Sequence, residues 1–405
     1  MELAEVSIRA GRWRDELSRL VDEIQHADAL ARTTWILFVP IAMFDLYQYY
    51  RRGIFGLDFA NVWAAGHALL HHRTKWGDFV YLPGSLIFVF PLAALSLRLA
   101  RLVIYVAQFL GLGYAFWAIT RITRQSLGSR RVAGFAVVLA VSGQVGIASN
   151  YENFTLLLVP LAAAFFLAVD RGHPTAAAIA LGVSLTIKPL LLPLLLVLAL
   201  HRLWRCVAVA VLIPTVLTAL AFLVITISGS PATFLHDVIA TFGSNNVAPV
   251  NMSISGVGHI LSFPTPAVSL VRVATGLVCV DACRRMWSRP FGGPGERVIW
   301  LTAPLLVGMI LCFTFAWAYY AVLFIPLTFL TLERKDWAGR LIQVGVFLAL
   351  FFPILPDLIN GYPRTHPSDY LALLGLLVLL AGLEGISIEP HAVPSGPSIQ
   401  NDIPI

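Results

Sequence analysis

Apolar runs long enough to cross a bilayer recur from residue 34 to residue 386, and no other feature leaves this chain so few folds. A helix needs roughly 20 mostly apolar residues to traverse the hydrocarbon, so the chain has room for about a dozen crossings. Helices satisfy their own backbone in lipid, and the expected class is all-α: a polytopic membrane protein of about 12 transmembrane helices. With 58% of its 405 residues hydrophobic and only 12% charged, the composition excludes a soluble globular domain.

The crossings fall at 34–50, 102–120, 132–149, 154–169, 175–187, 189–200, 206–227, 266–283, 298–315, 318–332, 341–355 and 370–386. Arginine and lysine collect between alternate runs: Arg9 to Arg32, Arg121 to Arg131, Arg202 and Arg205, Arg284 to Arg297, and Arg334 to Arg340. The positive-inside rule puts these segments, and both termini, in the cytoplasm. The net charge of +6 therefore reports topology rather than nucleic-acid binding. Residues 1–32 carry Trp13, Leu17, Leu20, Val21 and Ile24 at helical spacing among charges, which suits a cytoplasmic amphipathic leader lying on the membrane or a partner-binding or partly disordered segment. Without a short apolar core and a small-residue cleavage site, the first span is expected to remain as an anchor. Residues 33–388 form the transmembrane domain, and the proline- and serine-bearing tail 389–405 reads as disordered. Cys206, Cys279, Cys283 and Cys312 sit in apolar stretches without paired metal spacing, so packing is their expected role.

Two stretches are coupled in the count. Residues 84–97 are apolar but short, and reading them as a full crossing would move the Arg121 to Arg131 loop outside. They are read instead as a short or re-entrant segment, with 175–200 hinged at Lys188-Pro189 into two short crossings. The outward-facing segments are then 51–83, 144–153, the Lys188 hinge, 228–265, the neighbourhood of Trp317, and 356–369. The cytoplasmic loops are short and basic, and the glycines around Gly292 and Gly293 lack the lysine and serine or threonine of a phosphate-cradling loop.

Polar and aromatic residues gather in the outward segments. Asp58 precedes an amphipathic stretch, with Trp63, Leu69 and Leu70 among Gly66, His67, His71 and His72, that suits a helix lying flat at the interface. No second acid stands close by, so a paired-carboxylate metal site is poorly supported. His67 and His71 have metal-ligand spacing, but no third ligand accompanies them, and a structural or substrate-contact role fits better. Lys188, a lone lysine at a proline-marked hinge between apolar runs, is costly without an anionic partner unless it snorkels to the interface. Residues 243–255, with Asn245, Asn246 and Asn251, offer amides and hydroxyls suited either to sugar hydroxyls or to turns. Gln144, Asn150, Glu152 and Asn153 form a second polar group facing the same side, while Trp317, Tyr319 and Tyr320 present flat faces for a sugar ring or for interface anchoring.

A resemblance to a known family rests on several of these strings in order. Asp58-Phe59, Trp63 to Leu69 and Phe79 to Pro83 lead to Phe90-Pro91-Leu92. Gly143-Gln144 with Asn153, Leu181 to Pro189 followed by His201 to Arg205, and Ala316 to Tyr320 with Phe324-Ile325-Pro326 complete the series. Over about residues 35–335 the chain resembles glycosyltransferase family 87, polyprenyl-phosphate-sugar-dependent enzymes of the GT-C class. The stretches Lys188 to Leu195 and Ala318 to Tyr320 are most similar to the actinobacterial arabinofuranosyltransferases that branch arabinan. Where many family members carry histidine near Tyr319 and Tyr320, this chain has tyrosine.

The resemblance implies a GT-C architecture with an outward juxtamembrane helix after the first span, and inverting transfer from a lipid phosphate. Asp58 would be the base that takes the proton of the acceptor hydroxyl. Lys188, with Arg73 and Lys75 as second choices, would face the donor phosphate. His67, Gln144, Asn153, Asn245, Asn246, Asn251, Trp317, Tyr319 and Tyr320 would contact sugar or acceptor. The implied partners are a polyprenyl-phosphate sugar donor, a polysaccharide or glycolipid acceptor and membrane lipid, with no nucleic acid. The implied location is the plasma membrane, with the site on its extracytoplasmic face. No cofactor is expected, and metal dependence is left open. The rival within this chemistry is a polyprenyl-phosphomannose-dependent mannosyltransferase, against which the two tyrosines stand. The rival from another class is a lipid or sugar transporter, disfavoured by large outward loops and small inward ones.

Overall fold

The computed structural model describes residues 15, 18–19, 21–23, 25–52, 56–71, 79, 81–228, 231–246, 251–314, 316–351 and 367–388. Among them the chain is helical, with no strand. Helix α1 (Ala29–Arg52) is followed by α2 (Leu57–Leu70), α3 (Leu86–Ala93), α4 (Leu97–Ile122), α5 (Arg130–Ala140), α6 (Gly143–Asn150), α7 (Thr155–Asp170), α8 (Pro174–Ile187) and α9 (Pro193–Leu200). Then come α10 (Trp204–Ser228), α11 (Pro231–Asn246), α12 (Ile254–Ile260), α13 (Thr265–Trp287), α14 (Pro294–Cys312), α15 (Ile325–Thr331), α16 (Trp337–Phe351) and α17 (Pro367–Ile388). Short 3-10 turns at Pro83–Ser85, Pro189–Leu191 and Ala318–Phe324 lead into α3, α9 and α15.

Helices α4, α10, α13 and α14 are each long and apolar enough to cross a membrane. Helices α5 and α6 reach that length only together, as a pair bent by 52°, which would bring the number to 5. Among the described residues, length and apolarity thus give four or five full-length helices and a set of shorter apolar ones that includes α7 and α8, so the expected dozen is not established. Ser142 explains the bend: its hydroxyl donates to the Leu350 carbonyl on α16 and accepts from the Val145 N–H, so it starts a new helix. Prolines explain two of the shorter pieces. Lys188 precedes Pro189, and the proline ring disfavours a helical residue before it; Lys188 is extended (φ −150, ψ 137) and α8 stops there. The short segment expected at 84–97 is the 3-10 turn plus the eight residues of α3.

Two contacts orient the bundle. Helices α16 and α17 pack backbone to backbone: a Cβ on Gly345 would lie 2.5 Å from the Leu379 nitrogen, and one on Gly375 would lie 2.5 Å from the Ala349 nitrogen. Small residues permit such approach where apolar burial gives helices no preference over lipid. At the end bearing the basic residues, Glu23 of the N-terminal segment pairs with Arg121 at 3.0 Å, Asp28 pairs with Arg130, and the Trp35 indole donates to the Leu127 carbonyl at 2.9 Å. Helix α1 and the segment before it are thereby tied to the loop between α4 and α5.

Candidate active site

The site begins at the start of α2. Gly56, the residue before the helix, is left-handed (φ 73), and no side chain caps the first turn. The N–H groups that a helix start leaves free are taken by main-chain carbonyls of the turn between α6 and α7. The Gly56 N–H donates to the Asn150 carbonyl at 2.6 Å, and those of Asp58 and Phe59 donate to the Tyr151 carbonyl at 3.1 and 3.2 Å. Two residues further along that turn, Asn153 donates through Nδ2 to the Asp58 carboxylate. The acid is therefore held by the turn through both backbone and side chain.

Asn153 also reaches the lysine. Lys188 Nζ donates to Asn153 Oδ1 at 2.9 Å and to Thr155 Oγ1 at 3.0 Å. A lysine only donates and a carboxylate only accepts, which fixes the amide with its oxygen toward Lys188 and its nitrogen toward Asp58. Asn153 Oδ1 further accepts from the Thr155 N–H at 2.9 Å and the Thr155 hydroxyl at 2.7 Å, an Asx-type turn that opens α7. Its side-chain nitrogen lies 2.9 Å from the Tyr319 hydroxyl, and Gln108 of α4 donates to the Asn153 main-chain carbonyl at 3.0 Å.

Aromatic rings close the space around the ammonium. Lys188 Nζ lies 4.8 Å from the Tyr81 ring centroid, 5.1 Å from Tyr320 and 5.7 Å from Tyr319. Such faces attract a desolvated cation. Tyr319 stacks on Trp317 with centroids 6.0 Å apart and planes within 10°. Lys188 and Asn153 are buried, while Asp58 is partly exposed. Burial raises the Asp58 carboxyl above the usual carboxylate range, opposed by the Asn153 hydrogen bond and the Lys188 charge. Next to it, Glu152 is pushed up to about 8 by burial, with Arg101 acting the other way.

Asp58, Asn153, Lys188 and Tyr319 thus meet directly, with Tyr320 and Trp317 one contact away. Gln144 is buried in α6, which packs on the 3-10 turn carrying the tyrosines. His67 stands apart: it lies nine residues beyond Asp58, about 14 Å along the helix axis, stacked between Trp63 at 4.6 Å and His71 at 4.2 Å. Asn251 pins its own turn, donating to the Thr314 carbonyl and accepting from the Ser253 and Ala316 N–H groups. Arg73, Lys75 and His72, and the side chains of Asn245 and Asn246, lie outside the described residues. Tyr81, Gln108 and Thr155 were not singled out from sequence. Of these, Thr155 alone had a local signal, the Asn-x-Thr spacing that forms an Asx turn. Among the described residues no group of three or more His, Cys, Asp or Glu could hold a metal ion.

The arrangement places a general-base candidate and a buried cation at opposite ends of one amide. The profile of glycosyltransferase family 87 matches residues 79–323, more than half of the chain. In Mycobacterium tuberculosis, proteins of two strains named alpha-(1->3)-arabinofuranosyltransferase are 25% identical over 288 residues, covering 66% of this chain and 64% of theirs. A Corynebacterium glutamicum protein of the same name is 22% identical over 336 residues, covering 79% of this chain and 78% of its own. The match thus spans just under two thirds of the mycobacterial relatives' length.

Proposed function

Because the chain belongs to glycosyltransferase family 87, we propose that it is an inverting arabinofuranosyltransferase of the plasma membrane. The sugar moves from a polyprenyl phosphate to a hydroxyl of cell-wall arabinan. The observation that carries the reading is the Asn153 amide, which bridges Asp58 and Lys188. The names of the actinobacterial relatives support arabinose over mannose.

Asp58 removes the proton of the acceptor hydroxyl as its oxygen bonds to the anomeric carbon from the face opposite the phosphate. The bond from that carbon to the phosphate oxygen breaks, and its electron pair leaves on the lipid phosphate. A positioned base of this kind contributes about 10²- to 10⁴-fold. Lys188 has two of its three N–H groups engaged, and the third serves the phosphate, where fixed positive charge in a poorly solvated pocket is most effective. Arg73 and Lys75 add charge from the loop after α2. Trp317, Tyr319 and Tyr320 stack on the furanose. Gln144, Asn153, Asn245, Asn246, Asn251 and His67 supply hydrogen bonds to sugar or acceptor. The full architecture in this reading is a GT-C fold of about 12 crossings, with both termini cytoplasmic and the site outside.

The test is a purified-enzyme assay with radiolabelled polyprenyl-phosphoarabinose and a short arabinan acceptor, run beside polyprenyl-phosphomannose and with Asp58→Asn. Arabinosylated product from the wild type alone is expected. Turnover of the mannosyl donor alone would move the assignment to mannosyl transfer, and wild-type turnover by Asp58→Asn would remove the base.

A further inference from the structure

Glu152 occupies a position that is hard to account for by stability. Its backbone is left-handed (φ 51), a conformation unfavourable for a residue with a Cβ. Its side chain is fully buried, and among the described residues neither carboxylate oxygen has a hydrogen-bond partner. Nε of Arg101, on α4, is also buried without a hydrogen-bond partner among the described residues. Strain and unsatisfied burial of this kind persist where the surrounding structure holds them in place, and they concentrate at functional sites.

Both groups converge on Gly56. A Cβ at Gly56 would lie 2.6 Å from Arg101 Nε and 2.6 Å from Glu152 Oε2, so a side chain there would have to displace one of them, in a left-handed backbone that already disfavours it. Arg101 also approaches the Gly56 carbonyl at 3.5 Å. Gly56 is the left-handed residue at which α2 begins, and Asp58 follows two residues later. Left-handed glycine is conformationally permissive, so without contacts on both sides Gly56 would let α2 swing.

We propose that Arg101 and Glu152 are positioning residues that clamp Gly56 and thereby fix the Asp58 carboxylate against the acceptor hydroxyl. The inference rests on Asp58 being the base. It extends that reading to two residues that touch no substrate. A base must stand within hydrogen-bond reach of its proton, and a displacement of about 1 Å can reduce turnover about 100-fold.

Two measurements on the full chain test the clamp. Nitroxide labels at the exposed positions 70 on α2 and 99 on α4 report their separation by pulsed electron spin resonance, whatever the donor. A narrow distance distribution is expected for wild type and for Glu152→Gln, which refills the volume, and a broad one for Glu152→Ala and Gly56→Ala. In the arabinosyl transfer assay, Glu152→Ala is expected to lower kcat about 30- to 100-fold with both KM values nearly unchanged, and Glu152→Gln to restore most of it. An unchanged distance distribution in Glu152→Ala overturns the clamp. So does wild-type kcat in Glu152→Ala beside an inactive Asp58→Asn, or a loss that only follows the amount of folded protein. Activity in Asp58→Asn instead overturns the base assignment, and the inference with it.

Discussion

Lys188 Nζ donates to Asn153 Oδ1 at 2.9 Å across 35 residues of sequence, joining the hinge after α8 to the turn before α7. The cation is thereby held at the far end of the amide whose nitrogen meets Asp58. Loss of either partner changes the other's surroundings.

Replacement of the cation is the most direct test. Lys188→Met keeps the length and apolar stem but removes the charge, and turnover is expected to fall about 100- to 1000-fold, the range seen when one group stabilising developing negative charge is lost. Lys188→Arg should not restore it, since a planar fork does not fit a space shaped by three tyrosine rings around a compact ammonium. Steady-state turnover with the lipid donor checks both variants.

The pH profile should report Asp58. A base must be ionised, and burial raises this carboxyl above its ordinary 3.8, so the acid limb of kcat/KM is expected above that value. Asn153 lowers the same carboxyl through its hydrogen bond. Removing that bond in Asn153→Ala therefore moves the limb to higher pH, and a limb that stays or moves down contradicts the network.

Stability should depend on pH through Glu152. Its carboxyl binds a proton more tightly in the folded chain (about 8) than at its ordinary 4.5, so the folded state carries the extra proton between those values. The associated stabilisation is complete below about pH 4.5, declines as pH rises, and is gone above about 8. Melting temperatures in detergent from pH 5 to 9 should fall more steeply for wild type than for Glu152→Gln, which cannot titrate.

Packing between α16 and α17 should tolerate no side chain at its centre. Gly345→Ala would bring a Cβ against the backbone of α17, and a loss of about 1–3 kcal/mol is expected from overpacking. A lowered melting temperature with unchanged KM for the donor would show it.

Much of this site was legible in the sequence, for identifiable reasons. Lys188 was conspicuous because a lone charge between apolar runs is expensive and because the following proline ends the helix. Asp58 stood out as an acid beside an amphipathic segment. Tyr81 and Gln108 were silent, because their roles arise from contacts made between distant segments: Gln108 meets Asn153 across 45 residues, and nothing in its neighbours anticipates that. Asn251 could be read as a sugar ligand or as a turn former, and its amide is engaged by the backbone of its own turn and of 314–316. The number of crossings was less legible, since apolarity does not reveal where Ser142 or Pro189 interrupts a helix.

Main-chain carbonyls look alike whatever side chain they carry. Because the first N–H groups of α2 end on the carbonyls of Asn150 and Tyr151, descendants of this chain can exchange those two side chains over evolutionary time without unseating the acid. Adding or deleting a single residue in that turn, by contrast, would shift every carbonyl out of phase. Selection at positions 150 and 151 should therefore act on loop length more strongly than on amino-acid identity.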